Sequence, residues 1–268
     1  MLSDVLPFLA CPHCDGGLSL VDGSVRCPGR HSFDVARQGY VSLLPGDTPG
    51  GVGDTAAMVG ARQRFLAAGH FAPIAAAVAS AARGATGAVA DLGAGSGYYL
   101  ARVLDAAPAY GIALDVSKYA LRVAARAHPR IGAVACDVWR RIPVRDGVVS
   151  VALNVFAPRN GAQTHRILEP GGTLVVVTPT ERHLAELVAA FGLLTVDERK
   201  EERLATELSP HFTPSAREDV EYAMSLRPED VDAVIGMGPS ARHGDTRLDS
   251  DVQTTVTASV TVRTYTRR

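Results

Sequence analysis

Residues 89–100, VADLGAGSGYYL, combine an aspartate with a glycine-rich turn, and these residue types could do chemistry. A short apolar strand is predicted to end at Asp91, and a helix is predicted from Tyr98. Glycines let the chain turn sharply and let a ligand approach the main chain, and a helix N-terminus offers free N–H groups. The stretch therefore predicts a cofactor site. Its glycines are Gly93, Gly95 and Gly97.

The glycines alone do not identify the cofactor, because dinucleotide-binding proteins have a similar glycine pattern. The neighbouring carboxylates distinguish the two kinds of cofactor. Asp91 precedes the first glycine, and Asp115 ends the next predicted strand, where a carboxylate can accept hydrogen bonds from both ribose hydroxyls. We therefore favour S-adenosylmethionine over a dinucleotide, and over a turn that binds no ligand. Asp137, after the third predicted strand, is expected to face the adenine.

Three cysteines and a histidine near the N-terminus have the spacing C-x2-C-x12-C-x3-H. Thiolates and an imidazole at this spacing are typical of a closed tetrahedral zinc site, which has no open position for catalysis. A hairpin predicted at Asp22-Gly23 joins the two halves, so the segment is expected to form a small zinc-ribbon-like module. The predicted Zn²⁺ ligands are Cys11, Cys14, Cys27 and His31.

Composition limits the classes of protein to which this chain can belong. The 268 residues carry a formal net charge of −1, so nucleic-acid binding would depend on a local group of arginines. No apolar run reaches the about 20 residues of a membrane helix. The N-terminal residues lack the basic start and long apolar segment of a signal peptide. We therefore expect a cytoplasmic protein with no membrane partner, whose cysteines are thiols or metal ligands.

The rest of the chain alternates short apolar runs with helical stretches, which predicts a parallel sheet covered by helices. We expect an α/β, Rossmann-like domain at 55–268, a zinc-binding module at 1–45 and a flexible Gly/Pro-rich linker at 46–54. The stretch 252–262 alternates like a strand and is expected at the sheet edge. Strands are predicted at 88–92, 110–115, 131–135, 148–156, 173–178 and 220–226, and helices at 98–106, 117–127 and 162–168.

Several motifs, taken together, resemble one family. The zinc ligands, FDVARQGYVSLLP, GARQRFLAAGHFAP, DLGAGSGYYL, ALDVSK, LNVFAPRN, LEPGGTL and VVTPTERHLAEL follow one another in this order between Cys11 and about Leu187. They are similar to the RlmA family of S-adenosylmethionine-dependent methyltransferases, which act on N1 of a guanine in 23S ribosomal RNA. Within the family, DVW, LNVFAPRN and MGPS look most like the Gram-positive tylosin-resistance (TlrB-like) branch.

The resemblance implies a class I methyltransferase fold and a target guanine in a domain II hairpin loop that lines the peptide exit tunnel. In producers of macrolide antibiotics, this methylation confers resistance. The resemblance also implies that 23S rRNA is the partner and that S-adenosylmethionine and Zn²⁺ are the bound groups, and we leave a homodimer open. The implied cofactor contacts are Phe71, where the family more often has tyrosine, Gly97, Tyr98 and His183.

Substrate contacts are predicted in the segment 154–159, because ligands of parallel sheets enter at the carboxyl ends of the strands. Asn154 is expected to hydrogen-bond the edge of the base, and Phe156 to stack on its face. Guanine N1 carries a proton that must be removed, and a nearby base would help. His183 is either that base, a cofactor contact or a helix-capping residue, so the base stays unnamed.

Arginines are predicted to bind the RNA backbone. Arg159 lies next to the predicted substrate contacts, whereas Arg26 and Arg30 belong to the zinc module. We expect the linker to let this module swing relative to the sheet and hold the RNA while the target guanine is flipped toward Phe156. Other arginines that favour an RNA partner are Arg37, Arg62 and Arg64.

Two other nucleobase methylations are disfavoured. Transfer to cytosine C5 needs a cysteine nucleophile, but Cys136 follows the third strand, where a buried apolar thiol is the better interpretation. Adenine N6 enzymes typically have Asn/Asp-Pro-Pro-aromatic after the fourth strand, where this chain has NVFA. Two other functions stay open: a small-molecule methyltransferase that the zinc module braces, and a non-catalytic RNA-binding regulator.

Overall fold

An eight-stranded mixed sheet forms the centre of the molecule in the computed structural model, which describes residues 1–48, 53–193, 200–238 and 253–268. A separate three-stranded antiparallel sheet lies in the N-terminal module. The strands are β1 (Ser19–Val21), β2 (Ser24–Arg26), β3 (Ser32–Asp34), β4 (Tyr40–Ser42), β5 (Gly87–Leu92), β6 (Ala109–Asp115), β7 (Ile131–Ala135), β8 (Val149–Val155), β9 (Leu168–Pro179), β10 (Phe212–Leu226) and β11 (Thr254–Arg267).

Helices connect most of these strands. A 3-10 turn at Leu6–Phe8 follows the first helix. Within the described residues no single helix is long and apolar enough to cross a membrane. The helices are α1 (Leu2–Val5), α2 (Ala56–Ala67), α3 (Ala72–Ala81), α4 (Tyr98–Ala106), α5 (Lys118–Ala127), α6 (Gly161–Ile167), α7 (Ala185–Phe191), α8 (Lys200–Leu208) and α9 (Pro228–Gly236). Helices α2 and α3 are long and apolar enough for a membrane span only when taken together, and a bend of 87° separates them.

The strand order in the large sheet is β10-β11-β9-β8-β5-β6-β7-β4. Strands β4 to β9 pair in parallel, whereas β11 pairs antiparallel with β9 on one side and with β10 on the other. The carboxyl ends of β5 to β8 therefore meet at one edge of the sheet, where doubly wound proteins bind their ligands. This arrangement confirms the predicted Rossmann-like class.

One face of the sheet is covered by helices. Val89 of β5 and Leu153 of β8 belong to a buried apolar cluster with side chains from α2, α3, α4, α5, α7 and α9. Side chains alternate between faces along a strand, so Asp91 of β5 is directed to this same face. The cofactor site is thereby enclosed between the sheet and this helical layer.

The zinc module covers much of the opposite face. Val5 and Leu9 belong to a second buried cluster together with Ala90 and Ile112 of the central strands. A Cβ added to Gly132 of β7 would lie 2.1 Å from a methyl carbon of Val5, so α1 rests directly on the strand backbone. The predicted swinging of the module is therefore wrong, because its apolar side chains are part of the sheet's own core.

The end of the predicted module also joins the large sheet. Strand β4 pairs in parallel with β7, although residues 40–42 fall inside the segment predicted as the zinc module. Within the predicted linker, 49–52 lie outside the described residues, and Asp54 is bound to Arg62 and to Ser117. The division of the chain at residues 45 and 54 stays a prediction.

Most predicted elements are confirmed within one or two residues at each end, and the tail differs most. The tail strand β11 runs to Arg267 and lies second from the edge, because β10 pairs outside it along 15 residues. Only the last part of β10, from Val220, was expected as a strand. Its first half is polar and exposed, so it lacks the apolar alternation that signals a strand.

Candidate active site

The glycine turn after β5 adopts the conformation that its sequence predicts. Gly93, Gly95 and Gly97 have φ angles of +78°, +53° and +76°, which side chains with a Cβ rarely adopt. A Cβ on Gly93 would lie 2.6 Å from the Cβ of Ala157, so the turn packs closely against the loop after β8. Gly97 instead packs against Ala124 of α5, where a Cβ would lie 3.2 Å from the Cα atom. Gly97 therefore allows the start of α4 to pack closely against α5.

The carboxylate of Asp115 ties the glycine turn to the end of β6. Its Oδ2 accepts a hydrogen bond from the Gly95 N–H at 2.8 Å, and its Oδ1 accepts one from the Ser117 N–H at 2.8 Å. Burial raises the pKa of Asp115, and these two backbone donors oppose that effect. Because each carboxylate oxygen can accept a second hydrogen bond, the group can still receive ligand hydroxyls.

A cavity of about 270 Å³ lies above the glycine turn. The predicted cofactor residues at 93 and 95 contribute to its wall, whereas Asp115 and Asp137 do not. Asp137 accepts a hydrogen bond from the Trp139 N–H at 2.9 Å and lies 3.7 Å from the Arg140 Nε. The other predicted cofactor residues that line the cavity are Phe71, Asp91, Tyr98 and His183.

The Asp91 carboxyl group is buried in the wall of this cavity, and its pKa lies far from the ordinary value. It is 2% exposed, and the structure shows no hydrogen bond to it among the described residues. Burial, together with the nearby Asp115 charge, raises the pKa of Asp91 to about 8. An acceptor left without a partner in a ligand-sized cavity suits a cationic group of a ligand, which would restore its ionised form.

Aromatic side chains form the rim of the cavity. The Phe156 ring lies 6.2 Å from the Phe71 ring and 5.8 Å from the His183 ring, nearly parallel to the latter. Phe156 has a φ of +53° and is 40% exposed. A phenylalanine in this conformation is uncommon and occurs preferentially at functional sites. Phe71 is buried and also packs edge-on against Phe65, so it is both a core residue and part of the cavity wall.

His183 is held by the neighbouring strand and does not cap a helix. Its Nδ1 accepts a hydrogen bond from the Ser259 N–H of β11 at 3.1 Å, and α7 begins two residues later at Ala185. A neutral imidazole whose Nδ1 accepts must carry its proton on Nε2. Nε2 therefore acts as a donor, which argues against His183 as the base that takes the guanine proton.

The predicted substrate contact Asn154 does not line the cavity. It is buried on the face opposite to Val155, since neighbouring residues of β8 alternate between faces. Its Nδ2 donates to the Pro158 carbonyl at 2.7 Å, whereas its buried Oδ1 has no hydrogen-bond partner in the part of the chain that the structure describes. The observed role of Asn154 is to hold the loop that carries Phe156, and its contact with the base stays a prediction.

The predicted phosphate contact Arg159 is already engaged. Its side chain is 17% exposed, and its Nε lies 3.6 Å from the Glu207 Oε2 of α8. A phosphate would have to replace this partly buried ion pair. Arg26 and Arg30 differ from it, because both are exposed on the zinc module and neither has an ion pair among the described residues.

Two parts of the site were not expected as cofactor contacts. Arg62 of α2 lies over the glycine turn, binds Asp54, and donates from Nη2 to the Met237 carbonyl at 3.0 Å. Met237 and Gly238, just after α9, complete the cavity wall. From the sequence alone, Arg62 is one of the arginines that favour an RNA partner. No local pattern could link it to Met237, which lies 175 residues away.

The four predicted metal ligands come together at the N-terminal module. Their ligand atoms all lie within 4.8 Å of one another, with the His31 Nδ1 3.3 Å from the Cys27 Sγ and 3.5 Å from the Cys11 Sγ. Cys14 completes the group, its Sγ 3.6 Å from that of Cys27. Three sulfurs and one imidazole nitrogen at these separations fit a tetrahedral zinc ion.

Comparisons with known proteins agree with this geometry. Residues 9–48 match the sequence model of the zinc-ribbon family described as "RlmA, N-terminal". A Micromonospora griseorubida protein, "Putative 23S rRNA (guanine-N(1)-)-methyltransferase", is 49% identical over 99% of both chains. A Streptomyces fradiae protein, "23S rRNA (guanine(748)-N(1))-methyltransferase", is 49% identical over 91% of this chain and 89% of that protein.

The fold is also similar to that of solved methyltransferase structures. A chain from the "Complex between the Haloferax volcanii Trm112 methyltransferase activator and the putative methyltransferase" is 17% identical, with a TM-score of 0.52, over 81% of this chain and 98% of that chain. This likeness supports the S-adenosylmethionine-dependent methyltransferase fold. The two relatives at 49% identity, which span nearly the whole length, decide the family. The chain belongs to the RlmA-type 23S rRNA (guanine-N1)-methyltransferases.

Proposed function

We propose that this protein transfers a methyl group from S-adenosylmethionine to N1 of a guanine in 23S rRNA. The observation that carries the proposal is the 49% identity, over 91% of the chain, to the Streptomyces fradiae enzyme named for guanine 748. We propose the corresponding guanine as the target. The cavity beside an exposed aromatic rim supports the same conclusion, because a flipped base needs a face on which to stack.

The cavity wall and the Asp115 carboxylate next to it fit the cofactor. The unpartnered Asp91 carboxylate suits the ammonium group of the methionine moiety, and the Asp115 carboxylate suits the ribose hydroxyls. When bound, S-adenosylmethionine supplies a methyl group that its sulfonium has already activated. The main task of this chain is then to align the base, and alignment alone can supply about 7–11 kcal/mol of the barrier.

The four predicted zinc ligands fit a structural Zn²⁺ ion. The donor set is complete with four protein ligands, so no position is left for a substrate or a reactive water. Cys11 and Cys27 are buried, and they lie in the same apolar cluster as the central strands. We therefore assign the ion to the folding of the module and of the sheet face beneath it.

Methyl transfer to purified rRNA tests the proposed function. We expect tritium from labelled cofactor to appear in 23S rRNA, and reverse transcription of that RNA to stop beside the guanine, because N1 methylation blocks base pairing. RNA from a deletion strain should lack the stop. The same pair of strains tests resistance, for which we propose lower tylosin tolerance in the deletion strain. Label found only in small molecules would overturn the proposal.

Arg26 and Arg30 give a prediction on RNA binding. Replacing both with glutamate is expected to weaken RNA binding about 10- to 100-fold at low salt, with a smaller loss at high salt, because phosphate contacts release counterions. Cofactor binding should not change. Filter binding across a salt series measures the effect.

The matched control changes the same number of charges at the other end of the sheet. Arg83 and Arg126 are exposed near the amino ends of β5 and β7, so their double glutamate variant should bind RNA almost as the wild type does. Equal losses in both double variants would mean that only net charge matters. The zinc module would then have no specific RNA contact through these arginines.

A further inference from the structure

Trp139 is the one tryptophan of this chain, and its side chain is 65% exposed. Tryptophan is mostly buried in folded proteins, so a large exposed ring requires an explanation. The residue follows β7 in the segment 137–142. That segment leaves the carboxyl edge of the sheet, the edge at which the cavity opens.

The backbone that carries this exposed ring is firmly held. The Trp139 N–H donates to the Asp137 Oδ1 at 2.9 Å. From the opposite side, the Asn160 Nδ2 donates to the carbonyls of Val138 at 3.1 Å and Trp139 at 3.2 Å. Val138 itself is buried. The backbone that carries the ring is therefore fixed before a partner binds, which lowers the entropy lost on binding.

These contacts place Trp139 between the cavity rim and the zinc site. Asn160 ends the loop that begins with Phe156, so Phe156 and Trp139, both exposed, stand on loops that are hydrogen-bonded to each other. On the other side, the Arg141 Nε donates to the Asp15 Oδ1 at 2.9 Å. Asp15 directly follows the zinc ligand Cys14.

The charges around Trp139 favour a nucleic acid over an apolar protein surface. Arg140 and Arg141 follow it directly and pair with the exposed carboxylates of Asp47 and Asp15. Exposed ion pairs of this kind contribute little to stability, so a phosphate can replace either carboxylate. An aromatic ring with arginines beside it is the usual combination for stacking single-stranded bases.

We propose that Trp139 is a second stacking platform, on which a base next to the target guanine in the rRNA loop rests while the guanine enters at Phe156. The inference rests on the proposed function and specifies how its substrate is held. It assigns a substrate contact to Trp139, which neither lines the cavity nor belongs to the group of zinc ligands.

The fluorescence of this single tryptophan tests the contact directly. Saturating the protein with an in vitro transcript of the domain II hairpin is expected to quench Trp139, because a stacked base quenches indole emission. A perfectly paired duplex of equal length should quench it far less. Trp139→Ala is expected to raise the KM for the transcript about 10- to 100-fold, with a smaller change in kcat, and Trp139→Phe should restore most of the loss.

The control variant is Tyr110→Ala. Tyr110 is 40% exposed near the amino end of β6, at the opposite edge of the sheet, so its loss should leave the KM unchanged. Unquenched fluorescence at RNA saturation, or an unchanged KM for Trp139→Ala, would overturn the inference. If the wild type binds the transcript with quenching but does not methylate it, the proposed function fails and the Trp139 contact stands.

Discussion

Replacing Cys14 with alanine is expected to destabilise the whole protein and not only its first 45 residues. Binding of a structural zinc ion is coupled to folding and is worth about 10–16 kcal/mol in small zinc modules. A typical domain is stable by only about 5–15 kcal/mol, so losing even a third of the zinc contribution is severe. The module's Val5 and Leu9 share a core with Ala90 and Ile112, so their loss exposes the central strands.

Metal analysis and thermal unfolding together measure this effect. We expect one zinc per chain in the wild type, and in Cys14→Ala a sub-stoichiometric zinc content with a strongly lowered Tm. Cofactor affinity should fall with the folded fraction. Cys136→Ala is the matched control, because Cys136 is buried but lies outside the ligand group. Wild-type protein that is stable and free of zinc would contradict the assignment.

Local patterns explain why so much of the sheet and both sites could be predicted. Each glycine of the turn has a positive φ that few other residues adopt, so the sequence marks the bend itself. The two pairs of zinc ligands flank a short hairpin, so their spacing along the chain determines their spacing in the fold. In both places, residues close in sequence decide the geometry.

The structure differs from the sequence-based expectations mainly where distant residues decide the geometry. The face on which Asn154 lies follows from the register of β8 against β5, where Leu153 pairs with Asp91, and no local signal fixes that register. The partners of Arg159 and Arg62 come from α8 and from the end of α9. The linker's glycines suggested a mobile module, whereas the apolar side chains before it attach the module to the sheet.

Replacing Asp91 with asparagine is expected to stabilise the cofactor-free protein at alkaline pH and to weaken its cofactor binding. The pKa of Asp91 is raised to about 8 in the folded state, against the ordinary value of 3.8 for an aspartate in an unfolded chain. Between these values the folded protein holds a proton that the unfolded chain has lost. The stability that this group contributes is therefore complete below about pH 4 and is lost as the pH rises through about 8.

Asparagine cannot ionise, so the variant escapes that loss. Each pKa unit corresponds to about 1.4 kcal/mol, and we expect Asp91→Asn to exceed the wild type by a few kcal/mol at pH 8.5 and to match it near pH 4. Its affinity for S-adenosylmethionine should fall about 10- to 150-fold, since a hydrogen bond to a charged partner is worth about 1.5–3 kcal/mol.

Asp34→Asn, at an exposed position of β3, controls for the lost charge. Thermal unfolding across pH and calorimetry with the cofactor measure the two effects. A variant that is less stable than the wild type at pH 8.5, or that binds the cofactor equally well, would remove Asp91 from the proposed site.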